Sequence, residues 1–211
     1  EATRLSYLSL SLQYTLQNAE GTGSSTNSSF TAVFRNLDNE PPKVIAPLDF
    51  DQRHTGVAQV NFFVPEGDLG AFEMTSVNLI YSFNSGRPYT PLEKQNITPG
   101  GSSNLGDTRG YVNSAYGLGT SRLDMKIEKS FKLTNNLLIT PYAWIQNVFN
   151  TINAVNVYRT TGSPYTTGFL ATEEGKATAA GRENYASDYM ALERDPFNFG
   201  IPRQIKLGVR L

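Results

Sequence analysis

Apolar and polar residues alternate along six stretches of this chain, and period two is the mark of a strand whose two faces meet different surroundings. The stretches are Leu5–Leu16, Thr55–Val64, Met74–Phe83, Arg122–Leu133, Leu137–Phe149 and Arg203–Leu211. In the first, Leu8, Leu10, Leu12, Tyr14 and Leu16 share a face against Tyr7, Ser9, Ser11, Gln13 and Thr15. The second sets Ala58, Val60, Phe62 and Val64 against Thr55, Gln59 and Asn61; the third sets Val77, Leu79, Tyr81 and Phe83 against Ser76, Asn78 and Ser82. The fourth is the sharpest: Leu123, Met125, Ile127, Phe131 and Leu133 alternate with Arg122, Asp124, Lys126, Glu128 and Ser130. Lys129 breaks its apolar face, which places the residue near an interface with its ammonium reaching out of the apolar layer. In the fifth, Ile139, Ala143 and Ile145 favour one face and Tyr142, Trp144 and Val148 the other; Pro141 cannot donate to a ladder and predicts a bulge. The sixth sets Ile205, Leu207, Val209 and Leu211 against Lys206, Gly208 and Arg210.

The gaps between these stretches are sorted by length. They run roughly 38, 9, 38, 3 and 53 residues, where ordinary connections are about 4–6. Strict alternation of long and short connections is the habit of an outer-membrane barrel, with short periplasmic turns at one end and long loops at the other. The fold class expected is therefore all-β, a transmembrane antiparallel β-barrel with three long extracellular loops. Pro65-Glu66-Gly67-Asp68-Leu69-Gly70 and Thr134-Asn135-Asn136 read as the short turns. The long gaps are rich in Gly, Ser, Thr and Asn, as in Gly21–Ser29, Pro99–Asn104 and Ala171–Gly181, and read as loops. Six strands cannot close, since about eight make the smallest filled barrel and open edges are not tolerated in hydrocarbon. The outer strands are expected to pair with earlier strands of the same protein.

Composition agrees and narrows the options. The chain has 211 residues, a formal charge of −1 and an estimated pI near 5.9, so no basic surface points to nucleic acid. It contains no Cys, which removes disulfides, thiolate metal sites and cysteine nucleophiles. The hydrophobic fraction is 39 %, and no stretch approaches the roughly 18 apolar residues of a spanning helix. Barrel strands, being half apolar, escape that test. The 11 Tyr and 12 Phe are as numerous as interfacial aromatic girdles require. Glu1 opens directly into strand-like sequence with no charged and apolar leader, so the chain reads as an internal or processed piece of a longer one.

Several phrases stand out: Asp49-Phe50-Asp51-Gln52-Arg53-His54, Asn84-Ser85-Gly86-Arg87-Pro88-Tyr89-Thr90, the stretch Arg122 to Phe131, Asn147-Val148-Phe149-Asn150-Thr151-Ile152-Asn153, Val157-Tyr158-Arg159-Thr160-Thr161-Gly162, and Pro202-Arg203-Gln204-Ile205-Lys206-Leu207-Gly208-Val209-Arg210. In this order they resemble the C-terminal end of TonB-dependent outer-membrane receptors, most of all the Oar-like group with its N-terminal carboxypeptidase-regulatory-like domain. The resemblance covers nearly the whole chain. It implies the last six strands of a 22-stranded plugged barrel that takes up a large or scarce solute across the bacterial outer membrane. The partners it implies are the rest of the barrel and its plug, the TonB-ExbB-ExbD complex reached through an N-terminal TonB box that these residues do not include, outer-membrane lipid and lipopolysaccharide, and a surface lipoprotein. Neither a cofactor nor an enzymatic activity is implied. Barrels of this family end in an aromatic residue, whereas this chain ends in Leu211.

Candidate solute contacts are the inner-wall ladder Arg122, Asp124, Lys126 and Glu128 and the strand exit Arg87 and Tyr89. The plainer readings are a solvated wall pairing with the plug and a rigid turn. His54 is the only histidine, with Asp49 and Asp51 nearby. No nucleophile stands at a recognisable spacing, so a hydrogen-bonded pin is expected there instead of a general base. Asp38, Asn39 and Glu40 lack the spacing of a calcium loop. Asn147 and Asn150 are expected to bond backbone where the fifth strand ends.

Overall fold

The computed structural model describes residues 2–5, 7–24, 44–97, 103–134 and 137–211. One antiparallel sheet dominates. Its strands are β1 (Ala2–Leu5), β2 (Leu8–Leu16), β5 (His54–Phe63), β6 (Thr75–Asn84), β11 (Thr120–Lys129), β12 (Phe131–Thr134), β13 (Leu137–Gln146) and β14 (Gln204–Arg210). The short pairs β3 (Glu20–Gly21) with β4 (Ala46–Pro47), β7 (Pro88–Tyr89) with β10 (Ala115–Tyr116), and β8 (Gln95–Ile97) with β9 (Ser103–Leu105) lie in the long connections. Two helices, α1 (Glu173–Ala180) and α2 (Tyr185–Glu193), occupy the last of these.

The six alternating stretches all become strands of one sheet, each paired with its neighbour in sequence. β11 and β12 form one long strand, since both keep the same register against β13 (Met125↔Ile145, Phe131↔Ile139). Gly21, Ser103 and Asn104, read as loop, lie instead in the short strands β3 and β9, and four further details differ from the sequence reading. First, the chain reverses between Leu5 and Leu8, so β1 and β2 are a hairpin (Leu5↔Leu8) in place of one strand Leu5–Leu16, and the sheet has seven staves instead of six. The sign was a slip of phase: Leu5 is out of step with Leu8, Leu10 and Leu12. Second, no bulge sits at Pro141, which pairs in register with Val209. The missing N–H instead leaves a gap in the ladder toward β11 and β12, bridged by the Ser130 and Thr140 hydroxyls at 2.9 Å, and the register slips between Lys132 and Thr134. Third, the Ala171–Gly181 stretch is not loop but largely α1, started by Thr172, whose hydroxyl accepts from the Gly175 N–H. Fourth, Pro88 and Tyr89 pair with Tyr116 and Ala115 and so form a short ladder beyond β6, not a turn. Of the other expected loops and turns, residues 25–29, 98–102 and 135–136 lie outside the described residues.

The register assembles unbroken apolar rows. Leu8, Phe62, Val77, Ile127, Ala143 and Leu207 lie side by side across the sheet, as do Leu10, Val60, Leu79, Met125, Ile145 and Ile205. The opposite face carries Ser9, Asn61, Asn78, Lys126, Trp144 and Lys206 in one row and Ser11, Gln59, Ile80 and Asp124 in the next. Among the described residues every buried hydrophobic side chain lies outside the long strands. Leu12, Ile205 and Leu207 are 59, 62 and 77 % exposed. A soluble sheet protein puts such rows against a second layer. Here the helices pack on each other, on the Phe169–Ala171 turn and on β8.

Bare glycines on the sheet are covered by rings from the facing strand. Phe83 lies over its pair Gly56 and Tyr142 over its pair Gly208, where an added Cβ would meet ring atoms at 2.1 and 2.5 Å.

Candidate functional site

Two groups of residues combine position and chemistry: the charged polar face of β11, and the tier of connections beyond the long-connection end of the sheet. On β11, Arg122 pairs with Asp124 at 2.9 Å and Lys126 with Glu128 at 2.8 Å, each within one strand on one face. Arg210 of β14 reaches Glu128 at 3.3 Å. Lys126 lies 5.5 Å from the Tyr142 ring centroid and Lys206 4.8 Å from that of Trp144. The ladder is thus neutralised from within. Arg122 and Lys126 each have a carboxylate, whereas Arg210 shares Glu128 with Lys126 and Lys206 lies over a ring, so β14 adds two positive charges that no further carboxylate on these strands balances.

At the other end, Lys129 behaves as its odd position in the pattern requires. It sits in the row of Thr75 and Val209, and its ammonium reaches the carbonyls of Ala71 and Glu73 in the β5–β6 connection. The same connection is held by the Tyr7 hydroxyl, which donates to Asp68 at 3.2 Å, and by Lys132 paired with Glu66. The Asp68 hydrogen bond, followed by its charge, holds the Tyr7 phenol above the ordinary 10.0.

The hydrogen-bonded pin expected at His54 forms with Tyr14 and not with Asp49 or Asp51. His54 Nδ1 shares a hydrogen bond of 2.7 Å with the Tyr14 hydroxyl, because residue 54 faces Leu16 across the β2–β5 ladder. Asp51 is fully buried and accepts from the Ala19 N–H and the Tyr116 hydroxyl, both at 2.9 Å, with Arg53 at 3.6 Å. Burial first, then Asp51, raises the Tyr116 pKa. Asp49 Oδ1 accepts from Asn113 Nδ2 at 2.7 Å, and the same amide donates to the Pro47 carbonyl at 2.8 Å. These carboxylates lock the first long connection to the second, and none faces an imidazole.

The strand exits are pinned by asparagines, as expected for Asn147 and Asn150. Asn147, at φ 53°, accepts from the Thr151 N–H and donates to the Thr151 and Ile201 carbonyls; Asn150, at φ 52°, accepts from the Arg203 N–H. Asn tolerates the left-handed region better than other side chains.

Above these pins sits the small core of the tier: Ile97, Tyr158, Phe169 and Tyr189, with Leu170 and Tyr185 against it. Buried Glu193 Oε1 accepts from the Thr167 N–H at 2.6 Å, the Thr167 hydroxyl at 2.7 Å and the Thr166 hydroxyl at 3.0 Å. Burial is the main cause that raises the Tyr158 and Tyr189 phenols above the ordinary value.

The candidates from the sequence fall at two levels. Arg122, Asp124, Lys126 and Glu128 line one strand face, whereas Arg87 and Tyr89 lie beyond β6 in the tier, beside Arg159. Arg159 belongs to a phrase that stands out in the sequence, but only the tertiary approach of two long connections sets it beside Arg87. Asp38, Asn39 and Glu40 lie outside the described residues. No family model, no curated protein and no solved structure matches this chain.

Proposed function

We propose that this chain is the C-terminal part of a TonB-dependent outer-membrane transporter, seven staves of a plugged barrel that takes up a solute without covalent chemistry. The observation that carries the reading is the pair of six-residue apolar rows that no second layer of the described residues covers, backed by a polar and charged face. A bilayer supplies the missing layer, and a wet lumen suits the reverse face. The connections fit as well. The hairpin between Leu5 and Leu8 adds a further short turn on the side where short turns belong, ahead of the long connection from β2 to β5. The free edges of β1 and β14 require partner strands in hydrocarbon, and the remainder of the same barrel supplies them. The packed tier then lies outside the cell, where the solute arrives, and the Lys129 end lies in the periplasm.

The stretch has no Cys, so single cysteines can carry spin labels in the full-length protein in outer-membrane vesicles. Labels at Val60, Leu79 and Met125 should be accessible to oxygen and shielded from a nickel chelate, and labels at Gln59, Asn78 and Asp124 the reverse. Equal access on both faces sinks the barrel reading. For energy coupling, the full-length protein should bind the periplasmic domain of TonB. No binding, with solute passage unaffected by collapse of the proton-motive force, makes it a passive porin instead.

A further inference from the structure

A polar cleft opens in the tier between the exit of β6 and the stretch that follows β13. One cavity of about 210 Å³ is lined by Arg87, Tyr89, Asn156 and Arg159 together with Asp49. A second, of about 310 Å³, shares Arg87, Leu118 and Asn156 with it and continues toward Gln52 and Thr120. Several polar groups in and around the two cavities are already committed. Gln52 donates to the Ser85 carbonyl, Asn156 to the Phe197 carbonyl, and Arg53 is held by Asp51 and the Tyr116 ring. Of the polar side chains on the first cavity's lining, three are not. Neither the Arg87 guanidinium nor the Arg159 guanidinium nor the Tyr89 hydroxyl makes a hydrogen bond or ion pair among the described residues. Asp49 is the one carboxylate on the lining, and Asn113 holds it at 2.7 Å. Two guanidiniums against one carboxylate leave the cleft one positive charge in excess.

We propose that this cleft is an oxyanion subsite, which takes a carboxylate or phosphate group of a solute between Arg87 and Arg159 with the Tyr89 hydroxyl as a further donor. Guanidinium forks match both oxyanions in two-point hydrogen bonding, and a phenol donates to either. Each guanidinium attracts a bound anion. The scaffold is rigid where it counts. Pro88 and Tyr89 are paired with β10, the Arg87 carbonyl accepts from the Gly117 N–H at 2.8 Å, and the Arg159 N–H is held by Gln95 Oε1 at 3.0 Å. On β11 Arg122 and Lys126 each hold a carboxylate, whereas Arg87 and Arg159 hold none among the described residues. Only the subsite's role in contacting cargo rests on the transporter reading.

The test is calorimetric titration of the full-length protein in detergent with citrate, with inorganic phosphate, and with maltose as the neutral probe. One anion at least should bind saturably and more weakly as salt rises, and maltose should not bind. Arg87→Gln and Arg159→Gln should each weaken that binding at least about tenfold. Arg87→Lys and Arg159→Lys should fall between, since an ammonium keeps the charge but loses the fork; they also serve if a Gln variant fails to fold. No saturable binding of either anion, or unchanged binding in the double Gln variant, overturns the subsite. Retained citrate or phosphate binding in a protein that shows no TonB coupling removes the transporter reading and leaves the subsite standing.

Discussion

The backbone N–H of Asn147 donates to Asp124 Oδ1 at 2.9 Å, so a charged residue of the polar wall also fastens the exit of the neighbouring strand. Asp124 holds Arg122 with its other oxygen. Asn147 is 1 % exposed, and its side chain spends both amide hydrogens and its carbonyl on Thr151 and Ile201. Replacing Asn147 by Ala leaves a part-buried N–H and two carbonyls short of partners and places a side chain with no local hydrogen bond at positive φ. A loss of about 2–4 kcal/mol is expected. Asp124→Asn, which keeps an acceptor but drops the charge, should cost about 1 kcal/mol. Urea midpoints of the full-length protein measure both.

Gly86 sits where the two ends of the β6–β11 connection meet. A Cβ there would lie 1.9 Å from the carbonyl oxygen of Gly117, a backbone atom that cannot swing aside. Gly86→Ala should therefore push β7 away from β10 and open the tier to protease, with cleavage beyond β6, while the long strands stay intact. Peptide mapping after brief trypsin treatment reads the site. Protection equal to wild type would mean that the approach of Gly86 to Gly117 is not as close as described.

Alkali should loosen the tier before the sheet. Tyr158 and Tyr189 have phenols raised above 10.0 chiefly by burial, since the charged form has lost its water. A raised folded-state pKa means stability that is complete below the unfolded value and is lost as pH climbs through the folded one. Packing around Tyr189 should thus hold up to about pH 10 and fail above it. Tyr189→Phe, which loses the hydroxyl's bonds to Ile97 and Thr167, should lower stability at neutral pH and weaken the alkaline step. Near-ultraviolet absorbance against pH follows the phenolates, and proteolysis follows the opening.

Adjacent residues on β5 separate the two faces. Val60 lies between Leu10 and Leu79 in an apolar row, and Gln59 lies between Ser11 and Ile80 on the reverse. If the apolar row meets lipid near mid-depth, Val60→Arg should cost about 2–4 kcal/mol. Gln59→Arg, one place beyond Ile80 from Asp124, should cost under about 1 kcal/mol. Folding into vesicles along a denaturant series measures the difference, and similar penalties at both positions would refute the assignment of faces.

The alternation of side chains was enough to determine six of the seven staves, which of their residues share a face and which connections are long. All of these follow from a backbone that turns its side chains over at every residue. Lys129 was legible for the same reason: one cation on an apolar face must reach an end, and it does. The break between Leu5 and Leu8 left only a slip of phase, and Thr172 was too modest a helix start to stand out in a Gly-, Thr- and Ala-rich stretch. Only the tertiary structure decided that His54 turns to Tyr14, that Asp51 is sealed under Tyr116, and that Arg159 comes to stand beside Arg87 across about 70 residues of chain. Those meetings depend on how long connections pack on one another, which is set by the summed burial and hydrogen bonding of many side chains and by no local period.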